Sequence, residues 1–107
     1  MGRIISAVVV LGLLAGLAAQ HPTAAGYLAL ARQAQMWGAW RRAIIWYQAA
    51  VALAPDDPTP EIAIAQIRFQ QGRFTLAAAS ISRAEARAPA DAAVWLLAGQ
   101  IAAAQDM

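Results

Sequence analysis

The sequence predicts an all-α protein, an array of helix-turn-helix units that follows an N-terminal hydrophobic segment. Hydrophobic residues make up 61% of the 107 residues, with alanine as the largest part, whereas aromatic residues make up 7%. Alanine has the highest helix propensity, and no period-two β-branched run or Asn-Gly turn predicts strands. A pattern of glycine, alanine and proline also recurs 34 residues further along the chain. Together these observations favour closely packed helical pairs.

The N-terminal hydrophobic segment covers residues 1–20. One positive charge, Arg3, precedes an apolar run from Ile4 to Ala19 in which Ser6 is the only polar side chain. A charged start, an apolar centre and a small-residue end are typical of a secretory signal peptide. A retained membrane anchor is the alternative, although a helix over residues 4–19 would reach only about 24 Å across a hydrocarbon core of about 30 Å. Both interpretations predict export, with the chain either soluble in the periplasm after cleavage or anchored in the inner membrane.

Capping and helix-ending residues define a first unit over residues 24–57. Thr23 can cap a helix that runs from Ala24 to Trp37. Gly38 supplies the left-handed residue that ends this helix. A second helix is expected from Trp40 to Leu53, where the chain approaches Pro55.

The second unit, residues 58–91, repeats this design. Thr59 is expected to be the N-cap of its first helix, and Pro60 suits the first helical position. That helix is expected to end at Gly72, and the next to run from Thr75 to Arg87. A partial third unit, residues 92–107, follows, and we expect a single helix from Ala92 to Gln105 with Asp91 as its cap.

The two complete units align at five positions. The aligned pairs are Gly38 and Gly72, Ala43 and Ala77, Tyr47 and Ile81, Ala50 and Ala84, and Pro55 and Pro89. Small residues are expected where helices come closest, and Tyr47 and Ile81 fill the space between them. An unrelated array of helical hairpins is the alternative, because alanine-rich helices imitate many helical patterns.

This spacing resembles the tetratricopeptide repeat, whose pattern is W-x2-L-G-x2-Y, then A-x3-F, then P, over 34 residues. The first unit has Tyr27-x2-Leu30-Ala31-x2-Ala34, then Ala43-x3-Tyr47, then Pro55. The second has Glu61-x2-Ile64-Ala65-x2-Arg68, then Ala77-x3-Ile81, then Pro89. The third has Trp95-x2-Ala98-Gly99-x2-Ala102. The resemblance covers residues 24–105 and implies an α-solenoid of about two and a half repeats.

The resemblance also implies packing roles for particular residues. Ala31, Ala65 and Gly99 are expected to be small where the two helices of a unit come closest. Glu61 and Arg68 depart from the aromatic residues usual at their positions. We therefore expect the second unit to pack more loosely, or these two side chains to reach the surface.

The sequence offers no site for catalysis, a cofactor or a metal ion. It contains no cysteine, and its one histidine, His21, borders the apolar run. The carboxylate pair Asp56-Asp57 follows Pro55 and is expected to form a capping turn. Nucleic-acid binding is not expected either, because the eight basic residues, all arginine, are scattered and the net charge is only +2.

A protein-protein interaction module is the function class that remains. Stacked repeats present the first helix of each unit on a concave face, which suits a partner helix or an extended peptide. On this face we expect Leu28, Arg32, Gln35, Met36, Ile62, Gln66, Phe69 and Gln70, continued by Leu96, Gln100 and Ala103. Alternatively, Met36 and Phe69 simply pack between the units.

Trp37 and Trp46 are further candidate binding residues, because the repeat pattern does not require aromatic residues there. Tryptophan is enriched at interface hot spots, although these two could instead cover the core locally. The last helix is expected to be apolar on both sides, through Val94, Leu97, Ala98, Ile101 and Ala104. We expect it to dock on a partner or on a second copy of the chain through Leu97 or Ile101.

Two function classes stay open. The first is an exported adaptor or assembly factor, a scaffold that holds part of a larger complex. The second is a structural subunit built permanently into a membrane or periplasmic enzyme complex.

Overall fold

The computed structural model describes residues 23–107, and within this range the chain forms α-helices and no strand. The helices are α1 (Ala24–Met36), α2 (Trp40–Leu53), α3 (Thr59–Gln70), α4 (Phe74–Arg87) and α5 (Ala92–Gln105). The predicted all-α class is therefore confirmed for this part of the chain. The N-terminal hydrophobic segment, residues 1–20, lies outside the described residues.

The turns after α1 and α3 are built alike. Gly38 and Gly72 have φ angles of 75° and 76°, a left-handed conformation that glycine adopts without steric cost. After each glycine, a backbone N–H closes the turn: that of Ala39 lies 2.9 Å from the carbonyl oxygen of Ala34, and that of Arg73 lies 2.8 Å from the carbonyl oxygen of Arg68. The prediction that both glycines end helices in this conformation is confirmed, with α1 ending one residue earlier than expected.

The starts of three helices depend on short polar side chains. Thr23 Oγ1 accepts a hydrogen bond from the N–H of Gly26 at 2.9 Å, and Asp91 Oδ1 accepts one from Ala93 at 2.9 Å, as predicted. The prediction for Thr59 is wrong, because this residue already lies within α3. Its own N–H donates to Asp57 Oδ1 at 3.0 Å. The aspartate two residues earlier therefore satisfies one free N–H of the first turn, that of Thr59 itself.

Consecutive helices pack against one another. Helices α1 and α2 form one hairpin, α3 and α4 form a second, and α5 packs on the second hairpin through both α3 and α4. A first core cluster joins the first hairpin to α3, with buried Ala31, Ala34, Ala43, Tyr47, Ile64 and Ile67. A second joins the second hairpin to α5, with buried Ala65, Ala77, Ile81, Ala84, Val94, Leu97 and Ile101.

The same positions are buried in both hairpins. Five pairs of residues that lie 34 positions apart are all buried: Ala31 and Ala65, Ala43 and Ala77, Tyr47 and Ile81, Ala50 and Ala84, and, on α3 and α5, Ile67 and Ile101. Small side chains allow the two backbones of a hairpin to approach closely, and the larger ones fill the space between neighbouring helices. The structure thus buries these alanines, Tyr47 and Ile81 in the helix-packing core, where they were expected to lie.

Gly99 does not have the packing role expected of it. It is exposed, and a Cβ atom added to it would meet no other heavy atom within 4 Å. The equivalent residues Ala31 and Ala65 are buried because the second helix of their own hairpin covers them. No helix within the described residues covers this side of α5.

The expectation that Glu61 reaches the surface is wrong, whereas Arg68 is only partly buried and lines a surface cleft. Glu61 is buried, and its Oε1 lies 3.2 Å from Arg83 Nε and 3.3 Å from Arg87 Nη1. Arg68 is partly buried and donates from Nη1 to Ser80 Oγ at 2.8 Å. These polar side chains occupy the space that aromatic residues were expected to fill, and they join α3 to α4 directly.

The last helix buries the side that was expected to dock. Val94, Leu97 and Ile101 lie in the second core cluster and are buried against the second hairpin. Leu97 and Ile101 are therefore wrong as the contact residues, whereas the docking of this helix on a partner or a second copy stays a prediction. The large apolar residues that α5 does expose are Trp95 and Leu96, which precede Leu97 and point away from the buried stripe.

Candidate protein-binding surfaces

The first candidate surface is a cleft of about 310 Å³ between α1 and α3, which we call the groove. It is lined by Arg32, Gln35, Tyr47, Thr59, Ile62, Ala63 and Gln66. Four of these, Arg32, Gln35, Ile62 and Gln66, were predicted from the sequence to share a face. The structure therefore brings together half of the eight concave-face candidates predicted on the first two units.

The groove combines one cation, amide groups and an apolar wall. The Tyr47 hydroxyl donates to Gln35 Oε1 at 2.7 Å, which leaves the Gln35 amide N–H groups to face a ligand. Burial raises the pKa of Tyr47, and the positive charge of Arg32 only partly opposes this shift. The phenol is therefore neutral at pH 7 and acts as a hydrogen-bond donor. Such a lining can hydrogen-bond a peptide backbone while Ile62 contacts an apolar side chain.

The remaining concave-face candidates lie outside the groove. Leu28 and Phe69 are partly buried and pack against the first and second core clusters, respectively. The Phe69 ring lies 5.5 Å from that of Phe74, centroid to centroid. Met36 is exposed rather than packed between the hairpins, and Gln70 is exposed at the end of α3. On α5, Leu96, Gln100 and Ala103 are all exposed.

The second candidate surface is a cleft of about 370 Å³ on the first hairpin, which we call the tryptophan cleft. It is lined by Leu30, Gln33, Ala34, Trp37, Ala39, Arg42 and Trp46. Trp37 is 80% exposed. Trp46 is half-buried and stacks on Tyr27 at a centroid distance of 5.5 Å. Trp37 and Trp46, which the sequence predicted as further binding residues, thus lie in one cleft. This cleft shares no residue with the groove.

Helical spacing in the sequence also indicates the other residues that line the tryptophan cleft. Leu30, Gln33 and Ala34 precede Trp37 by seven, four and three residues, so they share one face of α1 as it approaches the turn. Arg42 lies one helical turn before Trp46 on α2. The helical period around the two tryptophans would have predicted the cleft.

A third apolar surface lies on α5. Leu96 and Trp95 are 67% and 51% exposed, although the Trp95 Nε1–H is held by the Pro89 carbonyl oxygen at 2.6 Å. This hydrogen bond restrains the Trp95 ring, about half of which remains exposed. Exposed apolar area of this kind typically marks an interaction surface.

The described residues contain no cluster of acidic, histidine or cysteine side chains of the kind that binds a metal ion. Within residues 23–107, no three His, Cys, Asp or Glu side chains lie close enough to share a metal ion. Asp57 caps α3, as the capping-turn interpretation of Asp56-Asp57 predicted. His21 lies outside the described residues. None of the helices in this part of the chain combines the length and the apolar content needed to span a bilayer.

Comparison with models of known protein families and with curated protein sequences found no match for this chain.

Proposed function

We propose that the chain is a non-catalytic protein-protein interaction module built from tetratricopeptide-like repeats. Two features support this repeat type. Helices α2 and α4 have the same length and lie 34 residues apart. The helices before them end in the same left-handed glycine turn. The module works as an exported adaptor or assembly factor that binds a helix or an extended peptide of another protein.

One observation carries the proposal: the first hairpin exposes the face that the second hairpin buries. Leu30 is 43% exposed, whereas Ile64, the residue 34 positions later, is 2% exposed. Ile64 and Ile67 are buried because they pack against the first hairpin in the first core cluster. No helix within the described residues covers Leu30 and Gln33 in the same way. The tryptophan cleft therefore has the shape of a helix-packing surface without its helix.

The composition of the tryptophan cleft suits a partner helix. Leu30, Trp37 and Trp46 provide apolar area, and Gln33 and Arg42 provide polar groups beside it. Tryptophan and arginine are the residue types most enriched where single side chains dominate binding energy. An amphipathic helix that lays its apolar face into such a cleft is a common mode of recognition.

The groove supports a second contact with the same partner or with an extended peptide. Arg32, Gln35 and Gln66 line it from α1 and α3. A peptide backbone can pair with these side chains through hydrogen bonds, which fix its direction while contributing modestly to affinity. The groove presents less apolar area than the tryptophan cleft, so we assign most of the binding energy to the tryptophan cleft.

The exposed face of α5 favours a second candidate function, a structural subunit of a membrane or periplasmic enzyme complex. Trp95 and Leu96 add apolar area at the far end of the array from the tryptophan cleft. A subunit buried in a complex would cover both ends, whereas an adaptor would use one. Sedimentation of residues 20–107 separates the two: an adaptor is expected to be monomeric, and a built-in subunit is expected to self-associate or aggregate.

Site-specific photo-cross-linking in cells tests the proposed function. A photoreactive amino acid replaces Gln33 in the tryptophan cleft, Gln66 in the groove, or Gln48, an exposed residue of α2 that lines neither surface. We expect Gln33, and more weakly Gln66, to cross-link to one defined protein, and Gln48 to cross-link to none. Equal cross-linking at Gln48 would contradict the proposal. A cross-link from Gln33 only to residues 4–19 of its own chain would also contradict it.

A further inference from the structure

A further cleft brings together three arginines, one on α2, one on α3 and one in the turn before α4. It measures about 240 Å³ and lies between α2, the end of α3 and the start of α4. Its lining is Arg41, Ile44, Ile45, Arg68, Gln71, Arg73 and Leu76. We call it the arginine cleft. None of its residues lines the groove, and none lines the tryptophan cleft.

The positive charge of the arginine cleft is not balanced locally. Among the described residues, no aspartate or glutamate lines it. Glu61 is the carboxylate whose charge reaches Arg68, but both Arg83 and Arg87 already contact its Oε1. Desolvation, followed by the positive charges of Arg83 and Arg73, lowers the pKa of Arg68, and Glu61 only partly opposes them. Arginine nevertheless stays charged at pH 7, so this crowding would be relieved by an added anion.

The apolar residues that line the arginine cleft indicate which class of anion would bind there. Ile45 and Leu76 are both about half exposed at the edge of the cleft, beside the guanidinium groups. A free inorganic anion gains no binding free energy from contact with apolar side chains. A protein segment that carries a carboxylate next to a leucine-like side chain can use both, because guanidinium pairs with carboxylate through two parallel hydrogen bonds.

We propose that the arginine cleft is a binding site for an acidic segment of a partner protein, which places a carboxylate between Arg41, Arg68 and Arg73 and an apolar side chain on Ile45 and Leu76. This proposal rests on the proposed function in that it names the chemistry of a partner. It uses a different surface from the tryptophan cleft, so each can fail without the other. Charge complementarity of this kind also accelerates association and makes it sensitive to salt.

The test is a titration of the full chain, kept in solution by a nonionic detergent, with a synthetic amphipathic peptide of glutamate and leucine. The Nε–H signals of the arginines are followed by NMR. We expect those of Arg41, Arg68 and Arg73 to move, and that of Arg32, which lines the groove, to stay. A counterpart peptide with glutamine in place of glutamate is expected to leave all four signals in place.

Paired variants make the result specific. Arg41→Gln and Arg73→Gln change exposed side chains, so both are expected to fold and to bind the peptide at least about tenfold more weakly, the effect of losing a charged hydrogen bond. Gln48→Glu is the matched control, because it lowers the net charge by the same amount at an exposed position of α2 that lines none of the three clefts. It is expected to bind as the parent does. Equal binding of the glutamine peptide, or an equal loss in Gln48→Glu, would overturn the proposal. Binding to phosphatidylglycerol vesicles that depends on Arg41 and Arg73 would overturn it in favour of a lipid surface.

Discussion

At the residue scale, the two left-handed glycines set the reversal of each hairpin. Gly72 has a φ of 76°, and the space around it is open, so a side chain there would be strained by its backbone conformation alone. Gly99 lies inside α5, where it is exposed and meets nothing. The same substitution should therefore act in opposite directions at the two positions.

We expect Gly72→Ala to lower the free energy of unfolding by about 1–2 kcal/mol, the penalty for a side chain in the left-handed region. Gly99→Ala is expected to raise it by about 0.5–1 kcal/mol, because alanine loses less backbone entropy than glycine in a helix. Thermal or urea unfolding of the two variants beside the parent measures both effects. Equal shifts in the same direction would mean that Gly72 does not have the left-handed conformation.

Substitution of Trp37 distinguishes a role in binding from a role in folding. It is 80% exposed, so it contributes little to the core. We expect Trp37→Ala to change the free energy of unfolding by no more than about 0.5 kcal/mol, as is usual for surface substitutions. The same variant is expected to lose the cross-link from Gln33 to the partner protein, since truncating an interface hot spot costs about 2 kcal/mol or more of binding free energy. An unchanged cross-link would remove Trp37 from the proposed site.

At the element scale, a polar network joins α3 to α4 where the repeat pattern would place aromatic packing. Glu61 Oε1 accepts from Arg83 Nε, and Ser80 Oγ accepts from both Arg68 and Arg83. The second carboxylate oxygen, Glu61 Oε2, is buried and has no hydrogen-bond partner among the described residues. The network therefore contributes orientation more than net stability, as buried ion pairs often do.

We expect Glu61→Ala to destabilise the chain by about 2–3 kcal/mol, measured by urea unfolding. Breaking a buried pair from one side costs about 3–5 kcal/mol, and the half-exposed Arg83, with 49% of its side chain accessible, reduces that value. Glu85→Ala is the control, because this glutamate forms no ion pair in the described structure. Equal effects of the two substitutions would contradict the network.

The sequence predicted the elements well because their ends depend on local chemistry. Gly38, Gly72 and Asp91 act within a few residues of their own positions, and the structure confirms all three. The error at Glu61 arose because its partners, Arg83 and Arg87, lie on the next helix. A residue's place on a repeat pattern does not reveal which distant side chain will neutralise it.

The candidate sites also differ in whether they depend on local sequence or on contacts between distant residues. Helical periodicity grouped Arg32 with Gln35 and Ile62 with Gln66, and the packing of α1 beside α3 then brought the two pairs into one groove. Periodicity alone could not show that Leu97 and Ile101 face the second hairpin, because α5 is apolar on all sides. The arginine cleft was missed because its three arginines come from three separate elements.

At the scale of the whole molecule, we propose export as the setting for the interaction. Arg3 and the apolar run over residues 4–19 support it through the sequence alone. A reporter enzyme that is active only outside the cytoplasm, fused after Met107, is expected to be active. Activity of a matched cytoplasmic reporter alone, in the same fusion, would contradict export and leave the binding surfaces untouched.

The two ends of the described array expose apolar side chains that the middle buries. The first hairpin presents Leu30 and Trp37, and α5 presents Trp95 and Leu96. Ile64 and Glu61, which lie 34 positions from Leu30 and Trp95, are 2% and 4% exposed in the second hairpin. Protein binding is therefore concentrated at the ends in this account, with the tryptophan cleft as the principal site.

Thiol protection at the tryptophan cleft tests that claim most directly. The chain has no cysteine, so Gln33→Cys and Gln48→Cys each introduce a single reactive thiol while leaving Trp37 and Trp46 in place. We expect the thiol at position 33 to react with a maleimide several-fold more slowly in cells than in the purified protein, and the thiol at position 48 to react equally in both. Equal reactivity of position 33 in the two settings would show that the cleft is unoccupied in the cell and would contradict the account.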